Sequence, residues 1–301
     1  METGRIAEAL SERIKDVRQG ESMALHTSFK AGGPADIMAL PKSTDDIKHA
    51  LAITAAYDCP LFVMGRGTNL LVTSKGYRGV VLKLADNFAG AAFAGEYVTA
   101  KSGTPLAALV REAIDHGLGG AEFLGGIPGT LGGAVYMNAG AYEGETCDLV
   151  EEVYLVSESE ELTVKKSGMG FGYRSSMLNK TPFIVTGVRL KLKPCSTEES
   201  LKKLAEFNKR RREKQPLEYP SAGSTFKRPK GCYAGALIEQ AGLKGLMIGG
   251  AQVSEKHAGF IINTGGAAPE DILALIEKVR REVYEYSGVV LEPEVKVVGE
   301  P

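Results

Sequence analysis

Three side chains lie in short motifs that could do chemistry: Arg174 in GFGYRSS, Ser224 in YPSAGSTFKRP and Glu294 in LEPEVKVVG. Arg174 is either an ordinary residue at the exposed end of a strand or a clamp for a carboxylate or phosphate, since its planar guanidinium suits both anions. Ser224 is expected in a turn on conformational grounds alone. It has no GxSxG motif and no histidine nearby in sequence, so it could donate a proton but is not predicted to be an activated nucleophile.

The default interpretation of Glu294 is a residue on a solvated edge strand. If the alternation of a strand holds, Glu294 shares a face with Glu292 and Lys296, while Val295 and Val297 point inward. A catalytic role for Glu294 therefore does not follow from its own pattern.

The glycine-rich run at residues 117–144 is a candidate anion site. Ten of its twenty-eight residues are glycine, and no lysine or arginine occurs between Glu112 and Val164. Glycines open the left-handed region of φ/ψ space, in which successive N–H groups can converge on an anion. An anion held here must therefore be bound by main-chain N–H groups. The alternative is a turn-rich surface loop, for which the run is rather apolar.

A second glycine-bearing loop, GRGTN at residues 65–69, lies between two predicted strands. The chain has neither GxGxxG nor GxxxxGK[ST], so a Rossmann dinucleotide fold and a P-loop are both disfavoured. The remaining possibility is that loops 65–69 and 125–133 bind a diphosphate. Their main-chain N–H groups would do so together with the side chains of Thr68, Asn69 and Thr130.

The basic run at residues 202–214, followed by Lys227, Arg228 and Lys230, has two interpretations. It is either a solvated helix face with a charged turn or an electrostatic funnel for an anionic, nucleotide-like substrate. RNA binding would need interleaved aromatic residues, which are scarce here. His257 is expected to have a core or turn role, with a place near the site as the alternative.

Composition narrows the class of protein. The 301 residues are 44% hydrophobic, with a formal net charge of −1, so a globular chain of two domains is expected and nucleic-acid binding is disfavoured. No window is apolar enough to span a membrane, and we expect a soluble, cytoplasmic protein. The cysteines and histidines form no close pairs, which predicts four free thiols and no metal site.

The hydrophobic pattern predicts the elements that must position these residues. The first half alternates helix and strand signals, with helices at residues 44–57 and from Thr104 to Gly117. The pattern of residues 150–193 predicts a mostly antiparallel sheet. A charged helix follows, then a short helix at residues 235–241, a long one from Pro269 to Ser287 and a last strand. We predict two domains, residues 1–195 and 196–301.

Six strings, in order along the chain, resemble those of the bacterial UDP-N-acetylenolpyruvoylglucosamine reductase family: GRGTNLLV, LGGIPGTLGGAVYMNAGAY, GYRSS, SAGSTFKRP, GGAQVSEKHAGFIINTGGA and LEPEVKVVG. The resemblance covers nearly the whole chain, from HTSFKAGGPAD onward. About fifty residues separate Arg174 from Ser224, which is similar to the family's shorter subclass lacking an inserted substrate-covering segment with its tyrosine.

The resemblance implies an α+β fold: a two-part FAD-binding domain of the vanillyl-alcohol oxidase/PCMH type, with its core at about residues 28–194, plus a C-terminal α+β substrate domain. It implies that NADPH reduces FAD, and that hydride then passes to the enolpyruvyl β-carbon of UDP-N-acetylglucosamine enolpyruvate, giving UDP-N-acetylmuramate for peptidoglycan synthesis. By the same resemblance, Arg174 holds the substrate carboxylate, Ser224 protonates the α-carbon and Glu294 stabilises the enolate.

The resemblance also assigns contacts to a noncovalent FAD. The implied cofactor-binding residues are Gly65, Arg66, Gly67, Thr68, Asn69, Leu70, Gly126, Ile127, Pro128, Gly129, Thr130, Gly132, Gly133 and Asn138. A monomer is expected. Two alternatives stay open at this point: an oxygen-reducing FAD oxidase of the same fold, and an inactive nucleotide-binding module whose basic helix binds a partner.

Overall fold

The computed structural model describes residues 2–142 and 144–300, and five of the helices there lie where the sequence predicts them. They are α1 (Thr3–Ser11), α2 (Thr44–Ala56), α3 (Leu106–Asp115), α4 (Leu131–Met137), α5 (Thr197–Lys214), α6 (Ala234–Gln240) and α7 (Pro269–Ser287). Helix α2 begins with a capping box, because the side chains of Ser43 and Asp46 each accept the other's main-chain N–H.

The strands are short. They are β1 (Val17–Ser22), β2 (Pro34–Ala39), β3 (Leu61–Met64), β4 (Leu70–Val72), β5 (Tyr77–Lys83), β6 (Ala91–Ala94), β7 (Tyr97–Lys101), β8 (Leu118–Gly119), β9 (Gly140–Ala141), β10 (Gly144–Glu145), β11 (Val150–Val156), β12 (Glu161–Lys165), β13 (Ile184–Lys191), β14 (Lys193–Pro194), β15 (Met247–Ile248), β16 (Ala251–Val253), β17 (Ile261–Asn263) and β18 (Lys296–Val298).

The chain forms two compact units. Unit 1 comprises Met1–Gln19, Ile37–Arg66 and Gly79–Arg211, and unit 2 comprises Gly20–Asp36, Gly67–Arg78 and Arg212–Pro301. The predicted boundary after Cys195 differs from this division. Helix α5 belongs to unit 1 as far as Arg211, because its apolar side chains pack on a core of that unit.

Unit 1 contains two hydrophobic cores. One lies among α1, α2, β3 and the unit-1 residues of β2 and β5, with β3 and β5 running parallel. The other lies between α3, α4 and a five-stranded antiparallel sheet of order β12-β11-β13-β7-β6. The predicted antiparallel sheet is therefore confirmed, and its alternating apolar residues supply one side of this core.

Unit 2 packs α6 and α7 against the antiparallel sheet β15-β16-β17 around one core. Strand β18 pairs in parallel with β4. The last strand has only three residues, Lys296–Val298, so Glu294 lies before this strand and not on it. Val295 is buried as expected, but Val297 is 51% exposed, so the predicted inward position of Val297 is wrong.

Two other predictions need correction. Helix α3 begins at Leu106 with Pro105 as its N-cap residue, because the Thr104 hydroxyl bonds the main chain of Gly90 instead of capping the helix. The glycine-rich run contains a helix that the pattern did not predict, α4, whose N-cap Thr130 accepts a hydrogen bond from the N–H of Gly133.

Candidate active site

Ser224 and Glu294 lie on two segments of unit 2 that pair with each other. The N–H of Glu294 donates to the carbonyl of Thr225 (2.8 Å), the N–H of Lys227 donates to the carbonyl of Glu292 (2.9 Å), and Phe226 and Pro293 form an antiparallel bridge between them. The structure therefore brings together two of the three predicted catalytic residues, although seventy residues separate them in sequence.

The backbone around Ser224 is fixed by its neighbour Thr225. The buried Thr225 donates its N–H to the carbonyl of Gly259 (2.8 Å), and its hydroxyl oxygen accepts the N–H of Ile261 (3.0 Å). Ser224 itself is exposed, after Gly223 with φ 78°. An exposed hydroxyl on a fixed turn can donate a proton to a bound molecule.

Glu294 is also held through its main chain. Its carbonyl accepts a hydrogen bond from Nδ2 of Asn69 (3.1 Å), and Asn69 in turn accepts the N–H of Lys296 through its own carbonyl (3.0 Å). Asn69 belongs to the GRGTN loop, so this loop has a structural role in unit 2 beside any role in binding.

Arg174 belongs to unit 1 and does not end a strand, which corrects the default interpretation. It occupies a tight turn closed by reciprocal main-chain hydrogen bonds between Gly172 and Ser175, and it has φ 52°. Its Nη2 donates to the carbonyl of Gly140 (3.2 Å), and its guanidinium lies 5.0 Å from the centre of the Tyr173 ring. A non-glycine residue at positive φ is a feature that clusters at functional sites.

The glycine loop at residues 125–133 is a close-packed cradle in unit 1. A Cβ atom on Gly65 would lie 2.4 Å from Oγ1 of Thr130, and one on Gly132 would lie 2.8 Å from Cβ of Ser102. Within the described residues, the main-chain N–H groups of Gly129 and Thr130 have no acceptor. Loops that need glycine for space and leave N–H groups unpaired fit the diphosphate of a dinucleotide cofactor.

A cation reaches this loop from a distant part of the chain, which the sequence did not indicate. Arg211 of α5 donates from Nη1 to the carbonyl of Gly126, and Leu204 and Asn208 of the same helix pack against Gly125 and Gly126. Burial lowers the pKa of the Arg211 guanidinium, although arginine stays charged at neutral pH. The expectation that main-chain groups alone face this loop is therefore incomplete.

His257 has a structural contact in unit 2. Its Nδ1 accepts the N–H of Gly259 (3.1 Å), so the ring proton of the neutral form is on Nε2, and the ring packs edge-on to Phe260. Burial lowers the pKa of His257, and the positive charges of Lys244 and Lys214 act in the same direction, so the neutral ring is favoured at neutral pH.

Neither a membrane-spanning helix nor a metal-binding cluster occurs in residues 2–142 and 144–300. No helix there combines the length and apolar character that crossing a membrane requires. No group of three or more His, Cys, Asp or Glu residues there could hold a metal ion, and the four cysteines are free thiols.

Comparison with known proteins identifies both parts of the chain. Residues 35–164 match an FAD binding domain, and residues 215–298 match the C-terminal domain of UDP-N-acetylenolpyruvoylglucosamine reductase. A reductase of that name from Caldanaerobacter subterraneus subsp. tengcongensis is 49% identical over 302 residues, covering 98% of this chain and all of that one. One from Syntrophomonas wolfei is 47% identical and covers 96% of each chain.

Solved structures also resemble this chain. The UDP-N-acetylenolpyruvylglucosamine reductase of Thermus caldophilus has a TM-score of 0.80 at 38% identity, covering 94% of this chain and 98% of its own. An alkyldihydroxyacetonephosphate synthase has a TM-score of 0.51 at 14% identity over 64% of this chain and 40% of its own, which shows a likeness of fold alone.

The fold and the matches define an FAD-dependent oxidoreductase with a vanillyl-alcohol oxidase/PCMH-type domain followed by a C-terminal α+β domain, so the predicted fold class is confirmed. More particularly, the chain belongs to the UDP-N-acetylenolpyruvoylglucosamine reductase family.

Proposed function

We propose that Arg174, Ser224 and Glu294 are the residues with which this protein reduces UDP-N-acetylglucosamine enolpyruvate to UDP-N-acetylmuramate, a step of peptidoglycan precursor synthesis. The reaction is that of the family to which the chain belongs. The observation that best supports the residue assignment is the pairing of the segments that carry Ser224 and Glu294.

The cofactor is FAD and the reductant is NADPH. When bound, FAD accepts a hydride from NADPH and supplies it to the β-carbon of the enolpyruvyl group. We propose that loops 65–70 and 126–133 hold FAD, with Gly65, Gly129, Thr130 and Gly132 supplying the space and the N–H groups described above. Arg66 is paired with Asp86 through Nη2 (2.6 Å) and offers its remaining N–H groups. These segments contain no histidine or cysteine, so binding is noncovalent.

After hydride transfer, a negative charge must be stabilised and a proton must be supplied. We assign both tasks to residues of the chain. Addition of a hydride to the β-carbon leaves an electron pair on the α-carbon, delocalised into the neighbouring carboxylate. Arg174 binds this carboxylate through two N–H groups as its negative charge grows. Ser224 then transfers its hydroxyl proton to the α-carbon, which completes the saturated product. Glu294 stabilises the same enolate, which a carboxyl group does as a hydrogen-bond donor in its protonated form.

The same proposal covers the domain that binds each ligand, the role of α5, the location of the protein and its oligomeric state. FAD binds the domain predicted at residues 1–195, and the sugar nucleotide binds the domain predicted at residues 196–301. The basic face of α5, at residues 202–214, attracts the nucleotide substrates electrostatically. The protein acts as a cytoplasmic monomer. These statements rest on the family membership and on the sequence patterns described above.

One assay separates this function from its two alternatives. Purified protein is expected to be yellow, to release its flavin on denaturation, and to consume NADPH only when the enolpyruvyl sugar nucleotide is present. Equal NADPH consumption with oxygen alone would identify an oxidase. Colourless protein that does not take up FAD would identify a binding module and would overturn the proposal.

A further inference from the structure

Asn138 is enclosed in unit 1, with 1% of its surface exposed, at the C-terminal end of α4. Its Nδ2 donates both hydrogens within the protein, to Oε2 of Glu145 (2.9 Å) and to the carbonyl of Gly172 (3.1 Å). Its Oδ1 accepts the N–H of Cys147 (3.0 Å). An amide has only two N–H donors, so the side chain has none left for a ligand. The resemblance placed Asn138 at the cofactor, and these contacts point to another role.

The carbonyl of Gly172 begins the turn that carries Arg174. The same carbonyl accepts the N–H of Ser175 (3.2 Å), so Asn138 supplies its second hydrogen bond. Two further hydrogen bonds join this turn to the end of α4 and to β9. The Ser176 hydroxyl donates to the carbonyl of Tyr136 (2.9 Å), and Nη2 of Arg174 donates to the carbonyl of Gly140 (3.2 Å).

Both partners in this arrangement have unusual backbone conformations. Asn138 has φ 42° and Arg174 has φ 52°, in the left-handed region. Asparagine tolerates this region well, whereas a long side chain such as arginine adopts it when its surroundings hold it there. Because Asn138 is itself enclosed and satisfied, it can serve as the fixed point against which the turn is held.

We propose that Asn138 is a positioning residue for Arg174: by bonding the Gly172 carbonyl it fixes the turn that aims the guanidinium, and its side chain makes no contact with FAD. The inference rests on the proposed function, in which Arg174 binds the substrate carboxylate. Asn138 would then affect the half-reaction with the enolpyruvyl substrate and leave the half-reaction with NADPH unchanged.

Two variants test this role. Asn138→Gly removes the side chain and still permits φ 42°, while Asn138→Asp keeps the acceptor for the Cys147 N–H and loses both donors. Both should bind FAD in full stoichiometry and be reduced by NADPH at the wild-type rate. Reoxidation by substrate should slow at least about tenfold, and calorimetry on the oxidised protein should show weaker substrate binding. Asp58→Gly is the control, because Asp58 is an exposed residue of unit 1 with φ 48°.

A double-mutant cycle then shows whether Asn138 acts through Arg174. Adding Asn138→Gly to Arg174→Ala should cause no further loss of reoxidation rate, whereas losses that multiply would overturn the proposal. The pair Asn138→Asp with Glu145→Gln restores the hydrogen bond between positions 138 and 145 with donor and acceptor exchanged, but not the bond to Gly172. Its reoxidation should stay slow, and recovery would show that the role runs through Glu145 instead.

The remaining outcomes are equally decisive. Weakened FAD binding in Asn138→Asp, with normal reoxidation at saturating FAD, would identify a cofactor contact and overturn the inference. If Asn138→Gly does not fold, FAD binding and the two half-reactions can still be compared in Asn138→Asp and in Asn138→Asp with Glu145→Gln. A wild-type protein that does not reduce the enolpyruvyl substrate would refute the proposed function itself, and this is seen before any variant is measured.

Discussion

The main-chain N–H of Glu294 donates a 2.8 Å hydrogen bond to the carbonyl of Thr225, the residue that follows Ser224. The bond joins the final segment of the chain to the turn that carries the proposed proton donor. Both residues are therefore positioned through the main chain of their segments. A substitution of either side chain should change the chemistry without disturbing this pairing.

Ser224→Ala should keep FAD and its reduction by NADPH but lose reoxidation of the flavin by the enolpyruvyl substrate. Removing one positioned proton donor costs about 10²- to 10⁴-fold in rate. Stopped-flow absorbance at the flavin band measures the two half-reactions separately. The matched control is Ser221→Ala, in the same turn, which should react at the wild-type rate. Normal turnover by Ser224→Ala would show that another group donates the proton.

Arg174→Lys should lower the rate of reoxidation by about a hundredfold or more, because an ammonium group cannot reproduce the bidentate geometry of a guanidinium. Reduction by NADPH and the affinity for FAD should be unchanged. Arg189→Lys changes a half-buried arginine on β13 that pairs with Glu152, and it controls for the general effect of this exchange. If Arg174→Lys kept the wild-type kcat, positive charge alone would be sufficient at this position.

Gly65→Ala should weaken FAD binding, since the added Cβ would lie 2.4 Å from Oγ1 of Thr130. Overpacking of this kind costs about 1–3 kcal/mol, which corresponds to a rise of roughly ten- to a hundredfold in Kd. Fluorescence titration of the apoprotein with FAD measures the change. Gly4→Ala, on α1 with nothing within 4 Å of the new Cβ, should bind FAD as tightly as the wild type. Unchanged affinity in Gly65→Ala would place the cofactor elsewhere.

The sequence predicts the elements whose signals are local. The bounds of α7 follow from Pro269 at its start, acidic residues in its first turn and Gly288 after its end. Helix α4 was missed because two of its seven residues are glycine. Its signal was present: Thr130 as N-cap residue, then Leu131, Ala134 and Val135 at helical spacing, all three buried.

The contacts that build the site could not be predicted from local patterns. Arg211 reaches Gly126 from 85 positions away in sequence, and Asn69 reaches Glu294 across 225. Spacing carries no information about such pairs, because they depend on how elements pack after they form. For the same reason Arg174, Ser224 and Glu294 acquired roles only through the family resemblance.

Glu122 provides a prediction about stability and pH. Its carboxylate is 3% exposed, accepts the N–H of Gly120 and the hydroxyl of Ser200 on α5 (2.8 Å), and lies 3.5 Å from Nζ of Lys203. Burial alone would raise the pKa of Glu122, but these hydrogen bonds and the charge of Lys203 outweigh it and hold the pKa below its ordinary value of 4.5. The carboxylate thus fastens α5 to the glycine-rich run.

A group whose pKa is depressed in the folded state stabilises the fold above its unfolded pKa, and this contribution is lost as pH falls through the folded value. The free energy of unfolding in urea should therefore fall more steeply below pH 4.5 in the wild type than in Glu122→Gln. At pH 7 the variant should be less stable by about 1–3 kcal/mol, since Gly120 and Ser200 lose a charged acceptor. Glu198→Gln, an exposed change on α5, is the control. Parallel pH profiles for the wild type and Glu122→Gln would show that folding does not shift the pKa of Glu122.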